Sequence, residues 1–297
     1  MLSSPTGIYP PPPSPARSVV STLDIVWRPN GPDLNRLRKL VIREIMSKRS
    51  LDACYELRRR EIRHMVKDIH RKIGSPVNLG EQVAQTTVKV MINTLWGGSS
   101  ERSSDLIELR KRLDEFMLEL NLRGDDKSFL SINEVKAVLL DMMVGGTDTI
   151  PTTVEWAMTE LLRHPDIMRK LVDELDTVVE KQNMFPRLLY LDAVVKETLR
   201  LHPVIPLLFP ARPPLLPDIP SLNIPGFSLM RRRVCVGLVL AEKMVSVLLA
   251  ALLHSFEWEM PQGTLPDIQE KFGVVLKKKE SLVAIPFARL SNPEQYK

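Results

Sequence analysis

Residues 143–151 place two glycines, an acid and an alcohol in a stretch that is otherwise predicted to be helical. Each glycine costs about 1 kcal/mol of helix stability relative to alanine, and Pro151 cannot donate the backbone hydrogen bond of a regular helix. A helix deformed here would open a groove beside the Asp148 carboxyl and the Thr149 hydroxyl, which could bind a small molecule and relay protons. The alternative is a kinked core helix that packs closely at its glycines.

A second segment pairs an acid and a cation. Glu197 and Arg200 lie three residues apart, which puts both side chains on one face of a helix. An exposed pair of this kind contributes less than about 1 kcal/mol. The apolar residues around it, such as Leu191 and Val195, indicate a well-packed helix. The surface pair is the favoured interpretation, and a partly buried ion pair with a structural role is the alternative that these apolar neighbours leave open.

The third segment is a cysteine, Cys235, which follows three consecutive arginines and precedes an apolar helix. Cations and a helix N-terminus both favour the thiolate form of a cysteine, and a thiolate could bind a soft or borderline metal ion. Gly237 would let a cofactor or backbone approach closely. Zinc is not expected, because no second Cys or nearby His supplies its usual spacing. The alternative is a buried structural cysteine.

Helical periodicity and breakers predict a mainly α chain with a minor β part. Residues 33–94 are expected to be mostly helical, with one buried stripe of apolar residues: Ile62, Met65, Val66, Ile69 and Ile73. A capping box, Ser131 to Glu134, predicts the start of a long helix. The predicted helices after residue 80 are 81–96, 105–122, 133–163, 166–181, 188–201 and 238–253, and the predicted strands are 273–276 and 282–286.

Composition narrows the class of protein. The 297 residues carry a net charge of +5, 24 prolines and two cysteines, which excludes a collagen-like chain, a disulfide scaffold and wholesale disorder. Residues 1–23 are expected to be a disordered, proline-rich arm. The segment from Arg28 to Lys72 holds 14 Lys/Arg against 6 Asp/Glu and predicts a basic face. The apolar run 234–253 contains Glu242 and Lys243, so a buried helix is expected rather than a membrane span.

The order and spacing of the three segments resemble the cytochrome P450 superfamily of haem-thiolate monooxygenases, plant microsomal type. Residues 145–149 resemble its oxygen-activation segment, residues 196–203 its K helix and residues 233–237 its haem loop. The resemblance covers residues 24–297. It implies a mainly α, cytochrome P450-like fold, present as a partial domain.

The resemblance also implies roles for individual residues. Asp148 and Thr149 take the catalytic roles and Cys235 ligates the haem iron. Glu197 and Arg200 form the structural ion pair. The other cofactor-binding residues are Arg233, Gly237, Arg38, Gly145 and Gly146, and the expected lining of the substrate pocket is Met143, Val204, Ile205, Leu207 and Leu208.

The implied reaction inserts one oxygen atom from dioxygen into a lipophilic small molecule. Its cofactor is haem b, and its electrons come from NADPH through a reductase, which the basic face would attract. No nucleic-acid partner is expected. The family location is the endoplasmic reticulum membrane. No anchor is readable in this chain, so membrane-surface association or a cytosolic location is expected instead.

Several positions depart from the family pattern. Ser228 and Arg231 stand where the haem loop has Phe and Gly, and only a dozen residues separate Pro214 from Phe227, where the family has a longer meander. That meander would supply an arginine partner to the Glu197–Arg200 pair. The departures predict a truncated chain that binds haem weakly or not at all and that turns over no substrate. Two alternatives remain: a catalytically dead remnant without haem, and a basic helical binding module.

Overall fold

The structure is a computed structural model of the chain. It describes residues 23–26, 28, 31–96, 131–180, 188–205 and 234–290. The predicted arm 1–23, almost all of which precedes these ranges, and the predicted helix 105–122 lie outside the described residues.

The described part of the chain is mainly helical with a small β part, as predicted. Its α-helices are α1 Pro32–Leu40, α2 Lys48–Ala53, α3 Tyr55–His70, α4 Leu79–Trp96, α5 Ile132–Arg163, α6 Pro165–Glu180, α7 Leu189–Leu201 and α8 Leu238–Ser255, with a π-helical turn at Val41–Ile45. Its strands are β1 Val77–Asn78, β2 Phe256–Glu259, β3 Glu270–Lys271, β4 Lys277–Lys278 and β5 Val283–Ala288.

The long helix α5 begins and ends where local signals predict. The backbone N–H of Ser131 donates to Glu134 Oε2 over 2.9 Å, and the backbone N–H of Glu134 donates to Ser131 Oγ over 3.2 Å. These are the two reciprocal bonds of a capping box. The helix ends at Arg163, directly before His164 and Pro165. The predicted bounds of α5, which carries the candidate acid and alcohol, are therefore confirmed.

The chain divides into two compact units, which we describe separately. The first holds residues 1–45, 104–142 and 209–236, and the second holds 46–103, 143–208 and 237–297. In the first unit, Arg28 and Arg36 both donate to Glu134 Oε1 over 3.1 Å. Buried charges are stable only when they are paired, so this cluster ties the segment before α1 and α1 itself to the start of α5.

The core of the second unit is built around α8. This helix packs against α3, α6 and α7, and its Leu248, Leu249 and Leu252 are fully buried. Strand β2 follows directly, with its aromatic residues buried and its glutamates exposed. It pairs antiparallel with β5, which pairs with β1 on its other side. The alternation along β2 is that of a strand with one face on the core.

Two local predictions are wrong. Residues 273–276 do not form a strand. They form the turn that connects β3 to β4. The two strands pair antiparallel, with Lys271 opposite Lys277. Ile73 is not buried, because α3 ends at His70 and the turn that follows carries Ile73 out to solvent. Strand β5, predicted at 282–286, is confirmed within two residues.

The basic face is smaller than predicted. Lys39, Arg43, Arg59 and Arg63 are exposed, but only 6% of Arg58 is accessible. Burial in the protein interior lowers the pKa of Arg58, and the nearby thiol of Cys54 offsets this in part. Arg58 belongs to the interior of the second unit and not to its basic surface.

Helix α8 is long and apolar enough to cross a bilayer, and no other helix in the described ranges is. Its buried side chains pack into the second unit, where Leu248, Leu249 and Leu252 are inaccessible to solvent. A core helix satisfies the same criteria of length and composition as a membrane span. Of the residues of α8, 44% are buried, so the helix packs on the core through one face and is only in part the buried helix expected from the sequence.

Candidate functional site

The cysteine proposed as a metal ligand, Cys235, is free and exposed in the first unit. The guanidinium of Arg38, on the last turn of α1, donates a hydrogen bond to the carbonyl oxygen of Val234, the residue before it. The structure therefore brings together two candidate residues that the sequence separates by almost 200 positions. An exposed thiol can ligate a metal ion once it is deprotonated, and a guanidinium nearby on the chain can bind the carboxylates of a cofactor.

The residues that follow Cys235 start a new helix. Gly237 is the N-cap of α8, with φ −86° and ψ 3°. This conformation is open to any residue, so the backbone itself does not require glycine there. Arg233 lies outside the described residues, as do Leu207 and Leu208.

The predicted deformation of α5 does not interrupt the helix, which continues through Pro151. The Thr149 hydroxyl donates to the carbonyl oxygen of Gly145 over 2.6 Å, and the Thr152 hydroxyl donates to that of Asp148 over 2.7 Å. Threonine hydroxyls often bond to the carbonyl four residues earlier and can bend the helix slightly when they do. The candidate alcohol is thus held against its own helix.

The two glycines of α5 differ in surroundings. A methyl group added at Gly145 would meet no atom within 4 Å, whereas one added at Gly146 would lie 2.7 Å from Met91 Cε. Gly146 therefore leaves room for the Met91 side chain of α4 to pack against α5, a local contact of the kind that the core-helix alternative predicts. Gly145 instead leaves space beside the acid and the alcohol, which suits the binding alternative.

The candidate acid has a partner that the sequence did not reveal. Asp148 Oδ1 accepts from Lys277 Nζ over 2.9 Å. About half of each side chain is exposed. The ion pair joins α5 to strand β4 within the second unit.

The predicted pair of Glu197 and Arg200 forms, and it is the exposed surface pair rather than the partly buried alternative. The guanidinium donates to both carboxylate oxygens, over 2.7 and 2.8 Å. Both side chains are exposed on α7. The hydrogen bond from Arg200 lowers the pKa of Glu197. Within the described residues the two groups bond to each other and to no third charged residue.

The candidate substrate-lining residues that the structure describes lie in the second unit. Val204 is buried, while Met143 and Ile205 are half-buried. The backbone N–H of Leu276 donates to the carbonyl oxygen of Val204 over 2.9 Å. This bond places the segment after α7 against the β3–β4 hairpin, and the pocket role of these residues stays a prediction.

Three residues at the site were missed in the sequence: Lys277, Met91 and Val234. Lys277 contacts Asp148 across 129 positions, Met91 faces Gly146, and Val234 accepts from Arg38. None lies in a motif with its partner, so local spacing could not have found them. A lysine run beside a predicted strand was the one visible signal for Lys277.

The second cysteine does not fit a metal role. Cys54 lies in the second unit between α2 and α3. Burial raises the pKa of its thiol, and the positive charge of Arg58 offsets this only in part. A thiol held protonated is a poor ligand.

A family model described as "Cytochrome P450" matches residues 99–214 and 227–285 of the chain. The unmatched gap, 215–226, falls where the sequence predicts that the meander is missing.

Plant proteins are among the similar curated proteins. "Cytochrome P450 76C1" of Arabidopsis thaliana is 36% identical over 225 residues, covering 58% of this chain and 44% of that protein. "Flavonoid 3'-monooxygenase CYP75B3" of Oryza sativa subsp. japonica is 34% identical and is covered to 47%. The chain thus spans about half the length of these curated relatives. "Costunolide synthase" of Tanacetum parthenium is 28% identical over 380 residues, covering 90% of this chain and 77% of that protein.

Solved structures show the same fold at low sequence identity. A zebra fish cytochrome P450 solved with abiraterone superimposes with a TM-score of 0.72 at 18% identity, covering 92% of this chain and 86% of that one. A second structure, solved with progesterone, gives 0.68 at 19% identity, covering 93% and 88%. These matches concern the fold alone. Since the family model also matches more than half of the residues, this chain belongs to the cytochrome P450 family.

Proposed function

We propose that the chain is a haem-thiolate monooxygenase that inserts one oxygen atom from dioxygen into a lipophilic small molecule. The observation that carries this proposal is the hydrogen bond from Arg38 to the Val234 carbonyl. It joins the helix predicted to hold a haem carboxylate to the segment predicted to hold the iron. Two segments to which the resemblance assigns cofactor-binding roles thus meet in the folded chain.

Within the first unit, Cys235 and Arg38 would hold the cofactor. The Cys235 thiol is exposed and can reach a metal ion. The Arg38 guanidinium, fixed at Val234, offers charged N–H groups to a haem propionate. When bound, a thiolate-ligated haem b supplies the one-electron and dioxygen chemistry.

Within the second unit, α5 would handle protons. Asp148 supplies a carboxylate that can take and give a proton. The Thr149 hydroxyl, held on the Gly145 carbonyl, can order a water molecule beside it. Gly145 carries no side chain and has open space around its Cα, so it leaves room for such a water molecule. The half-buried Met143 and Ile205 would exclude other water from the reaction.

The substrate class follows from the apolar lining and from the relatives. Val204, Ile205 and Met143 offer only hydrocarbon and a thioether, which suits a lipophilic plant metabolite. Flavonoid 3'-monooxygenases are among the similar proteins. The proposed substrate is therefore a lipophilic plant secondary metabolite.

The proposed electron donor is an NADPH-dependent reductase with an acidic surface. In the first unit Lys39 and Arg43 are exposed, and in the second unit Arg59, Arg63 and Lys67 are exposed along α3. Surface cations of this kind steer an acidic partner and speed its association. The proposed location is the endoplasmic reticulum membrane surface, which is the location that the family resemblance implies.

A second candidate is a remnant of the family that folds without haem. The exposed Glu197–Arg200 pair favours it, because the resemblance implies a third partner for this pair. The alignment to costunolide synthase favours it too. That alignment runs over 380 residues, more than the 297 of the whole chain, so the relative carries internal segments that this chain lacks.

One measurement separates the two candidates. The purified chain is supplied with haem, desalted, reduced and exposed to carbon monoxide. The monooxygenase proposal predicts the strongly red-shifted Soret band of thiolate-ligated haem. No retained haem, or a band typical of a neutral ligand, would favour the remnant.

A further inference from the structure

The β3–β4 hairpin carries a contact that the proposed function does not use. The Nζ atom of Lys277 lies 2.9 Å from Oδ1 of Asp148, the proposed proton donor. The two residues lie in the same unit. A surface ion pair of this kind is weak as a source of stability. Because this ion pair involves the proposed proton donor, it bears on the reaction as well as on stability.

The backbone on both sides of Lys277 is fixed. The N–H of Leu276 donates to the Val204 carbonyl, and the Leu276 carbonyl accepts from the indole Nε1 of Trp156 over 3.2 Å. Lys277 itself is paired with Lys271 across the hairpin. The lysine therefore projects from a strand that is held by the segment after α7 and by α5. Its position relative to Asp148 is set by the fold and not only by its own flexible side chain.

Lys277 differs from the two lysines that follow it. Lys278 is buried, with its Nζ 5.0 Å from the centre of the Trp156 ring, and burial lowers its pKa. Lys279 is exposed and donates to Gln269 Oε1 over 3.0 Å. Three consecutive lysines thus have three environments, and Lys277 is the one that contacts the candidate acid.

The acid needs such a partner because its own helix does not orient it. The hydroxyl groups of Thr149 and Thr152 bond to backbone carbonyls of α5, and Gly145, three residues before Asp148, offers no side chain. About half of Asp148 is exposed. Without an ion pair its carboxylate would sample several rotamers. A proton donor displaced by about 1 Å can lose roughly a hundredfold in rate.

We propose that Lys277 is a positioning residue, which holds the Asp148 carboxylate in the direction from which it exchanges protons. This inference rests on the proposed monooxygenase function. The lysine acts through Asp148 and touches neither substrate nor cofactor. Its loss would divert electrons into peroxide instead of product.

The contact itself is tested on the chain without haem. Urea unfolding is measured for the wild type, Asp148→Asn, Lys277→Met and the double variant. The ion pair predicts a coupling of about two- to fivefold in the folding equilibrium constant, as for exposed pairs elsewhere. Lys279→Met, combined with Asp148→Asn, should give no coupling. If the Asp148→Asn and Lys277→Met substitutions also show no coupling in the free energy of unfolding, the inference is overturned.

The role is tested on the haem-loaded chain by product formed per NADPH consumed. Lys277→Met should lower this ratio by about tenfold, a fraction of what a positioned acid contributes, while Lys277→Arg should restore it. The charge swap, Asp148→Lys with Lys277→Asp, separates positioning from folding. It should recover the stability of the ion pair but not the product ratio.

Three results on the haem-loaded chain would also count against the inference. Lys277→Met with the product ratio of the wild type would overturn it while leaving the proposed function intact. A charge swap that restores product formation would also overturn it, since the acid at position 148 would then be dispensable. A wild-type chain that retains haem but forms no product would overturn the proposed function, and the role of Lys277 with it.

Discussion

The guanidinium of Arg38 donates a hydrogen bond to the carbonyl oxygen of Val234 across 196 positions of sequence. Because Val234 directly precedes Cys235, the bond fixes the backbone of the candidate ligand to the end of α1. The first unit therefore places the candidate thiol and the candidate cation at the same segment of the chain.

Replacing Arg38 with alanine should weaken haem retention, because both the cation and the anchor of the Val234 carbonyl are lost. Lys39→Ala is the matched control, since Lys39 is exposed and adjacent on the same helix. The measurement is the haem-to-protein ratio after desalting. Equal losses in the two variants would show that only the overall charge matters.

Cys235→Ser should abolish the thiolate signature in the reduced, carbon monoxide-bound spectrum. Cys54→Ser should leave it unchanged, because burial raises the pKa of the Cys54 thiol and keeps it protonated. The two variants make the same chemical change at the two cysteines of the chain. A thiolate spectrum that survives in Cys235→Ser would refute the ligand assignment.

The bounds of the helices were predictable because their signals are local. The capping box at Ser131 and the His164-Pro165 stop act within one turn of helix. Residues 273–276 were wrongly predicted as a strand because β-branched residues favour strands only where a partner strand is available. In the fold the partners are Lys271 and Lys277, on either side of that segment.

The burial of Arg58 could have been foreseen from periodicity. It lies four residues before Ile62 and seven before Met65, on the same face as the predicted buried stripe. The prediction placed Arg58 on the basic face because of its charge and did not take its position on the helix into account. The contact of Asp148 with Lys277 could not have been foreseen, because a pair separated by 129 positions leaves no local pattern.

Thr149→Ala should leave haem content unchanged while it diverts electrons from product to peroxide. The hydroxyl is held on the Gly145 carbonyl beside open space, so its removal costs little packing but loses the group that would order water. Thr149→Ser should restore much of the product. Thr147→Ala is the control, since that hydroxyl also bonds to a helix carbonyl, that of Met143. Unchanged partition between product and peroxide in Thr149→Ala would argue against the role.

The stability of the first unit should depend on the protonation of Asp141. Burial raises its pKa from 3.8 to about 7, and the nearby carboxylate of Asp24 adds to the rise, although the N–H of Ile25 donates to Asp141 Oδ2 over 2.7 Å. A folded-state pKa above the unfolded value means that the folded form holds the extra proton. The stability that the first unit gains from protonated Asp141 is therefore fully present below about pH 4 and is lost as the pH rises to about 7.

Asp141→Asn tests this dependence, because the amide can still accept from Ile25 but does not titrate. The difference in unfolding free energy between wild type and variant should change by up to about 4 kcal/mol between about pH 4 and about pH 8. The variant should become relatively more stable at the higher pH. A difference that does not vary with pH would contradict the shifted pKa.

The last prediction concerns the segment 215–226, where the family match is interrupted. The resemblance implies that a longer meander there supplies an arginine to Glu197 and Arg200, which in this chain are exposed and bond to each other. We expect the unmodified chain to hold haem weakly. Replacing 215–226 with the corresponding segment of the Arabidopsis relative, together with Arg231→Gly, should raise haem retention more than Arg231→Gly alone.

The control for chain length is a Gly/Ser linker that replaces 215–226 and has the same length as the inserted Arabidopsis segment. This linker should not raise haem retention. In the repaired chain, Glu197→Ala should lower haem retention strongly, because the pair would then be buried against a third partner and its loss would leave a buried charge uncompensated. In the present chain the same substitution should change little, since an exposed pair is solvated by water. Stoichiometric, tightly held haem in the unmodified 297-residue protein would refute the prediction of weak binding and leave the family assignment standing.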